Sequence, residues 1–351
     1  SGQATGARAG ALRAALLLAE PFYRAAMRAR NRLFDVGLRK SHKLPRPVIS
    51  IGNITTGGTG KTPMVRWLAE RLRDEGRRVA ILSRGYGSKA RELGDELTML
   101  DGMLNSGEHA SVVVRANPDR VAAANELLRQ HPEVDVFILD DGFQHRRVAR
   151  DLDVVLINAA SPFGFGHVLP RGMLREPLAG LSRAGAIVLT HADRVSADEL
   201  SRIEQTIRAH NPHAPVYRAC HAHTGLRSLD ASSPQRSIDE LARTAFFAFA
   251  GIGSPDLLDA QLRAYGPTYV GHRWFADHHR YTESELFELR QAAQSAHARM
   301  LLTTEKDWAK ISSLPSAAAG LPIWRIDMAL QFADDHEHRL LEQIHQTARP
   351  R

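Results

Sequence analysis

Residues 47 to 67 read Pro-Val-Ile-Ser-Ile-Gly-Asn-Ile-Thr-Thr-Gly-Gly-Thr-Gly-Lys-Thr-Pro-Met-Val-Arg-Trp: a buried strand, a glycine-rich turn and the start of a helix. Gly57, Gly58 and Gly60 allow backbone conformations closed to residues with a Cβ, so successive N–H groups can converge on phosphate oxygens. Lys61 brings a positive charge to the β- and γ-phosphates of a nucleotide, and Thr62 offers a hydroxyl to Mg²⁺ at the positive end of the helix. Pro63 suits that first turn, where an N–H has no intrahelical use. The general phosphate-loop consensus has glycine where this chain has Thr55. Thr55, Thr56, Gly57, Gly58, Thr59, Gly60, Lys61 and Thr62 are the expected nucleotide contacts.

Working outward, short apolar strands alternate with helices. The helix after the loop spans 64 to 75 and a second strand Arg78 to Ser83, ending in Arg84-Gly85-Tyr86-Gly87. A strand at Val112 to Arg115 and a helix at Asp119 to Gln130 follow. The apolar strand Val134 to Leu139 then runs into Asp140-Asp141-Gly142-Phe143-Gln144-His145. Further strands are expected at 153 to 157, 186 to 190 and 216 to 219, with a helix over 197 to 210. This alternation predicts an α/β fold of the P-loop NTPase kind, a parallel sheet with helices on both faces. Polar residues 224 to 237, with Ser-Ser-Pro near their centre, read as a linker or domain edge. Beyond them, strands at 245 to 249, 269 to 274, 300 to 303 and 323 to 326 and helices at 255 to 264, 283 to 299 and 336 to 347 predict a smaller C-terminal α/β domain. The expected division is 1–38 for an N-terminal helical region, 39–224 for the phosphate-loop core and 225–351 for the C-terminal domain.

The 351 residues carry a net charge of +7, which admits nucleic acid, an anionic membrane or phosphorylated substrates as partners. Its distribution discriminates among them, because residues 7 to 43 hold Arg8, Arg13, Arg24, Arg28, Arg30, Arg32, Arg39, Lys40 and Lys43 against only Glu20 and Asp35. Residues 10 to 38 mix these cations with Leu12, Leu16, Leu17, Phe22, Tyr23, Met27, Leu33 and Phe34, the pattern of an amphipathic helix broken or bent near Pro21. Two readings fit it: a helix lying on an anionic bilayer surface, or one packed on its own domain with a solvated basic face. No apolar run approaches the roughly 20 residues that span a bilayer, and no secretory signal pattern stands out. A single cysteine, Cys220, forms no disulfide within the chain and suits a reducing compartment. Aromatic residues make up 6%, so no stacking platform for single strands is evident, and nucleic acid is not an expected partner.

Asp140 and Asp141 end an apolar strand, where open α/β sheets place their ligands, and an acid there can hold Mg²⁺ directly or through water. At this point the chain resembles a family, the bacterial lipid A disaccharide 4'-kinases, also called tetraacyldisaccharide 4'-kinases. The matching blocks are Gly52 to Pro63, Ser83 to Gly87, Gly94-Asp95-Glu96, Asp140 to His145, Leu169-Pro170-Arg171 and Arg175-Glu176. Further matches are Ala250 to Gly253, Phe275-Ala276-Asp277-His278 and Thr304-Glu305-Lys306-Asp307. Thr55 looks like the family's own form of the loop.

The resemblance implies ATP-dependent phosphorylation of the 4'-hydroxyl of an acylated, 1-phosphorylated glucosamine disaccharide at the cytoplasmic face of the inner membrane. Lipid IVA and ADP would be the products, with Mg²⁺ as cofactor and the anionic membrane surface as partner. It implies that Lys61 and Thr62 bind phosphate and metal, and that Asp140 and Asp141 belong to the metal and catalytic centre. Asp95 matches the catalytic acid and His278 the histidine that works with it, a carboxylate–imidazole pair suited to taking the proton of a sugar hydroxyl. His279 is adjacent, and either imidazole could face the site. Between Gly87 and Gly94 the chain is shorter than the family's, and Leu97 stands where the family has proline. Arg84, Arg120, His145, Arg171 and Arg175 are candidates for substrate phosphate or sugar contacts. A P-loop GTPase or metal-insertion regulator is the alternative. It would need a guanine-reading Asn-Lys-x-Asp segment, and Thr190-His191-Ala192-Asp193, at the matching place, has neither Asn nor Lys.

Overall fold

The computed structural model describes residues 6–85, 95–105, 112–228, 233–253, 255–277 and 279–349. The chain forms two compact units, one of residues 1–221 with 330–351, the other of 222–329.

In the first unit, α1 (Ala7–Asp35) precedes β1 (Val48–Asn53), α2 (Lys61–Asp74), β2 (Val79–Ser83), α3 (Asp95–Leu104), β3 (Val112–Ala116) and α4 (Arg120–Gln130). There follow β4 (Val136–Asp140), β5 (Leu152–Asn158), β6 (Ala186–Thr190), α5 (Ala197–His210) and the first part of β7 (Val216–Ser228). Its strands lie in the order β3-β2-β4-β1-β5-β6-β7 and every pair is parallel. β1, β2 and β6 are buried at every position, as strands covered on both faces must be. One cover is α2, which turns Met64, Val65, Trp67, Leu68, Ala69 and Leu72 inward. β1 sits beside β4, so the phosphate loop and the paired aspartates emerge from neighbouring strands at the same edge: Ile51 is in register with Asp140.

The second unit holds β8 (Phe246–Gly251), α6 (Pro255–Arg263), β9 (Tyr269–Phe275), α7 (Glu283–Ser295), β10 (Met300–Thr304), α8 (Glu305–Ile311) and most of β11 (Ile323–Phe332). Its strands run β9-β8-β10-β11, again parallel. A reciprocal capping box between Thr282 and Glu285 starts α7.

The expected C-terminal domain of 225–351 stands beside a second compact unit of 222–329, and α9 (His336–Thr347) belongs to the first unit. Leu340, Ile344 and Ala348 join the core that contains Trp67 and Leu72, and Trp67 Nε1 donates to Glu337 Oε1 at 3.0 Å. Periodicity revealed the apolar stripe of α9 but carries no information on which surface receives it. The segment 224–237, expected as a linker or domain edge, is strand to Ser228, and Leu226 and Arg236 exchange both backbone hydrogen bonds at 2.9 Å. The N-terminal segment, expected to be broken or bent near Pro21, is one helix that continues through Pro21, and it packs on its own unit through Glu20, Tyr23, Asn31 and Phe34.

Candidate active site

The phosphate loop is held from below and from both sides. Asn53 Nδ2 donates to Thr59 Oγ1 at 2.8 Å, and both residues are buried. Thr55 forms an antiparallel bridge with Leu174, and the next residue's N–H donates to Met173 O at 2.7 Å. An extended, paired residue needs none of glycine's freedom, which accounts for threonine at the consensus glycine position. Gly57 has φ 129° and Gly60, the N-cap of α2, has φ 78°. No side chain caps α2, so the N–H groups of its first turn are open to a ligand.

Asp140 and Asp141 diverge. Asp140 Oδ2 accepts from Ser83 Oγ at 2.9 Å, and burial with the neighbouring Asp141 charge pushes its carboxyl above the ordinary range. Asp141 takes a left-handed backbone, φ 50°, and meets Lys61 Nζ at 3.6 Å and Arg175 Nη1 at 2.8 Å to both carboxylate oxygens. Burial alone would raise its pKa, but the Lys61 and Arg175 charges outweigh burial and hold it below the usual value. Gly142 and Phe143 show why the block is so specific. A Cβ at Gly142 would lie 2.6 Å from Ser50 Oγ, and one at Gly52 2.6 Å from Phe143 Cβ. Gln144 ties the block together: its Nε2 donates to Asn53 O at 2.8 Å and Glu176 Oε1 at 3.0 Å. Glu176, fully buried, also accepts from Asn31 Nδ2 at 2.9 Å and Arg183 Nη2 at 2.7 Å.

The expected substrate residues separate into different roles. Arg175 faces Asp141, while its backbone N–H donates to Ile54 O and its carbonyl accepts from Tyr23 Oη. Arg171 pairs with the buried Glu20 of α1 at 3.2 Å, which also meets His167 and Arg24. Arg84 is exposed at the end of β2, and Arg120 is buried. His145 is driven down to about 4 by burial and by the charges of Arg120, Arg147 and Arg150, so its imidazole is neutral at pH 7. Asp95 is the first residue of α3, but its side chain lies outside the described residues, as does all of His278. His279 stacks on Phe275 with centroids 4.5 Å apart and binds Glu285 Oε1 through Nε2 at 3.0 Å. Lys306 pairs with Asp277 at 2.6 Å, and Asp307 accepts from the Gly251 N–H at 3.0 Å. Sequence reasoning did not find the roles of Asn53, Gln144 and Glu176, whose partners are distant in the chain; their only signal was membership of the matching blocks.

A parallel α/β sheet, a glycine loop feeding an uncapped helix and a lysine–aspartate pair beside it define a phosphate-loop nucleotide-binding enzyme. Comparison with known proteins narrows this. The family model described as Tetraacyldisaccharide-1-P 4'-kinase matches residues 12–346. The Tetraacyldisaccharide 4'-kinase of Anaeromyxobacter sp. (strain Fw109-5) is 40% identical over 336 residues, 93% of this chain and 90% of that protein. The protein of the same name from Syntrophus aciditrophicus is 36% identical over 345 residues, 92% of this chain and 91% of its own. Among solved structures, LpxK from Aquifex aeolicus, crystallised in complex with ATP, is 28% identical with a TM-score of 0.73, covering 96% of this chain and 99% of that one. The chain belongs to the tetraacyldisaccharide 4'-kinase family: it is an ATP-dependent kinase acting on a lipid A precursor. That finding does not favour the GTPase or metal-insertion alternative.

Proposed function

We propose that the chain transfers the ATP γ-phosphoryl group to the 4'-hydroxyl of an acylated glucosamine disaccharide 1-phosphate, giving lipid IVA and ADP, at the cytoplasmic face of the bacterial inner membrane. The observation that carries this reading is the Lys61–Asp141–Arg175 ionic group at the open N-terminus of α2. Residues Thr55 to Thr62 hold the phosphates, and Lys61 neutralises charge on the transferring group. Asp141 aims Lys61 and Arg175 at the site, and is itself fully committed to them.

Asp140 and Thr62 would hold Mg²⁺, which would supply positive charge against that developing on the transferring phosphoryl group. The donors fit: Asp140 and Thr62 are hard oxygen ligands, and the raised Asp140 carboxyl is one a cation would relieve. Among the described residues no group of three or more His, Cys, Asp or Glu side chains could hold a metal. Asp95 serves as base for the sugar hydroxyl with His278 as its support. Arg84, Arg120 and the neutral His145 receive the disaccharide, while Arg171 contributes through Glu20 to the seating of α1.

Contact with an anionic membrane rests on α1, where Leu17, Leu18 and Phe22 are 50%, 67% and 79% exposed beside Arg13, Arg28 and Arg32. Phe165 is also exposed, two residues before His167, which meets Glu20 of the same helix. No helix among the described residues is long and apolar enough to cross a membrane. The test is incubation with ATP, Mg²⁺ and acylated disaccharide 1-phosphates in mixed micelles, followed by mass spectrometry. One added phosphate on the distal sugar is expected; an unmodified disaccharide alongside robust GTP hydrolysis would refute the reading.

A further inference from the structure

Among its many cations α1 carries two acids, Glu20 and Asp35, and they sit differently. Asp35 ends the helix with its side chain half exposed, whereas Glu20 is buried. Glu20 Oε1 accepts from Arg24 of the same helix and lies 3.3 Å from His167 Nδ1, and its Oε2 accepts from Arg171 Nη1 at 3.2 Å. Burial alone would raise the carboxyl, but these three partners outweigh it and hold the group below its ordinary value, so the carboxylate is ionised at neutral pH. A buried charge depends on its partners. Two of these three lie outside α1, on one short stretch of chain, so the contact fixes that stretch to the helix.

That stretch is one piece. The Leu169 N–H donates to Leu174 O at 2.9 Å, the Leu174 N–H to His167 O at 3.1 Å and the Gly172 N–H to Val168 O at 3.1 Å. A Cβ on Gly172 would lie 2.2 Å from His167 O, so the two arms approach as closely as backbone allows. The other side of the piece is the phosphate loop. The Arg175 N–H donates to Ile54 O at 2.8 Å, Leu174 forms a bridge with Thr55, and Met173 O accepts from the Thr56 N–H at 2.7 Å and from Thr56 Oγ1 at 3.2 Å. Loop residues 54–56 are thus paired, in antiparallel register, with 175–173. An unbroken line of contacts runs from Glu20 through His167 and Arg171 to the arm by which the chain enters the loop, and a loop whose N–H groups must converge on phosphate oxygens depends on where that arm is held.

We infer that Glu20 of α1 is a positioning residue for the phosphate loop: through His167 and Arg171 it fixes the segment 167–175, which holds residues 54–56 in the shape that binds phosphate. This assignment rests on the phosphate-loop reading above. The test is calorimetric binding of ATP and of inorganic tripolyphosphate to the full chain in lipid-free solution. Glu20→Ala and Arg171→Ala should each raise the Kd for ATP by about five-fold, the contribution of one hydrogen bond, and that for tripolyphosphate by the same factor, because the loss falls on the phosphates. Both act through one contact, so the double variant should bind no more weakly than the poorer single one. Asp35→Asn weakens another tether of the same helix, to Arg146 Nη2 at 2.8 Å, and should leave both constants within about two-fold of the unsubstituted protein. Arg171 is partly exposed, so Arg171→Ala decides the matter even if Glu20→Ala fails to fold. Unchanged constants in Arg171→Ala, a loss for ATP alone, losses that multiply in the double variant, or an Asp35→Asn defect as large as the others would overturn the assignment. Lys61→Ala should weaken both ligands. If it weakens neither, the phosphate-loop reading itself is at fault, an outcome distinct from failure of the Glu20 link alone.

Discussion

The phosphate loop has two unlike flanks. Toward β4 it meets an ionic network in which Asp141 binds Lys61 and Arg175 while Gln144 links Asn53 to the buried Glu176. Toward β5, β6 and β7 it meets the amide of Asn158, the hydroxyl of Thr190 and the neutral rings of His191 and His221. Phosphoryl transfer moves charge, so preorganised ions act most strongly on the transition state, whereas neutral hydrogen bonds hold ground and transition state alike. The ionic flank should therefore govern kcat and the neutral flank KM for ATP.

The sharpest contrast is between Lys61→Ala and Thr190→Val. Lys61→Ala should lower kcat by about 10³-fold or more in a folded protein. Thr190→Val removes one neutral hydrogen bond and should raise KM for ATP by less than about ten-fold with kcat little changed. Steady-state kinetics at saturating lipid decide it, and a kcat loss for Thr190→Val comparable with that for Lys61→Ala would erase the distinction between the flanks.

Glu176 tests the ionic flank as a folding element. Truncation to alanine leaves Arg183, Asn31 and Gln144 without their shared acceptor in a buried setting, at a cost of about 3–5 kcal/mol. Urea unfolding measures this, and a loss near zero would mean that water replaces the carboxylate.

Histidines on both flanks respond to acid in the same sense. His145 and His191 have folded pKa values near 4 against an ordinary 6.5, so between those values the unfolded chain binds more protons than the folded one. Stability consequently rises with pH across that window and is lost as pH falls through it. Thermal unfolding from pH 7 to pH 4 should show the decline, and His145→Gln and His191→Asn should each make it shallower. A slope unaltered in both variants would assign the acid sensitivity to other groups.

The smallest effect on the chemistry should come from outside the loop. α1 touches the ionic flank through Tyr23 to the Arg175 carbonyl, Asn31 to Glu176 and Arg30 to the Gln144 carbonyl. Replacing the exposed Leu18 and Phe22 by glutamate should reduce flotation with anionic vesicles while leaving Tm within about 2 °C, because exposed positions contribute little to packing. Undiminished flotation would move the membrane contact to another surface.

Much of this protein was legible in its sequence because the signals were local. Periodicity gave the parallel α/β class, Gly57 to Thr62 gave the phosphate loop, and the Asp140 to His145 block with its companions gave the family and with it the activity. The loop chemistry needs residues adjacent in the chain, so their spacing carries the information. What the chain could not reveal alone lies in contacts between distant residues. Asp140 and Asp141 look equivalent in sequence, yet one is held by Ser83 and the other, through its left-handed backbone, by Lys61 and Arg175. Arg171 and Arg175 look alike as basic residues, yet Glu20 claims the first and Asp141 the second. α9 returned to the first unit, and His221 came to rest against Gly60, because parallel strands far apart in sequence share one sheet. A side chain's type and neighbours along the chain fix what chemistry it can perform. Tertiary packing fixed which charge or ring stands opposite it, and with it the protonation state and the direction in which that chemistry is aimed.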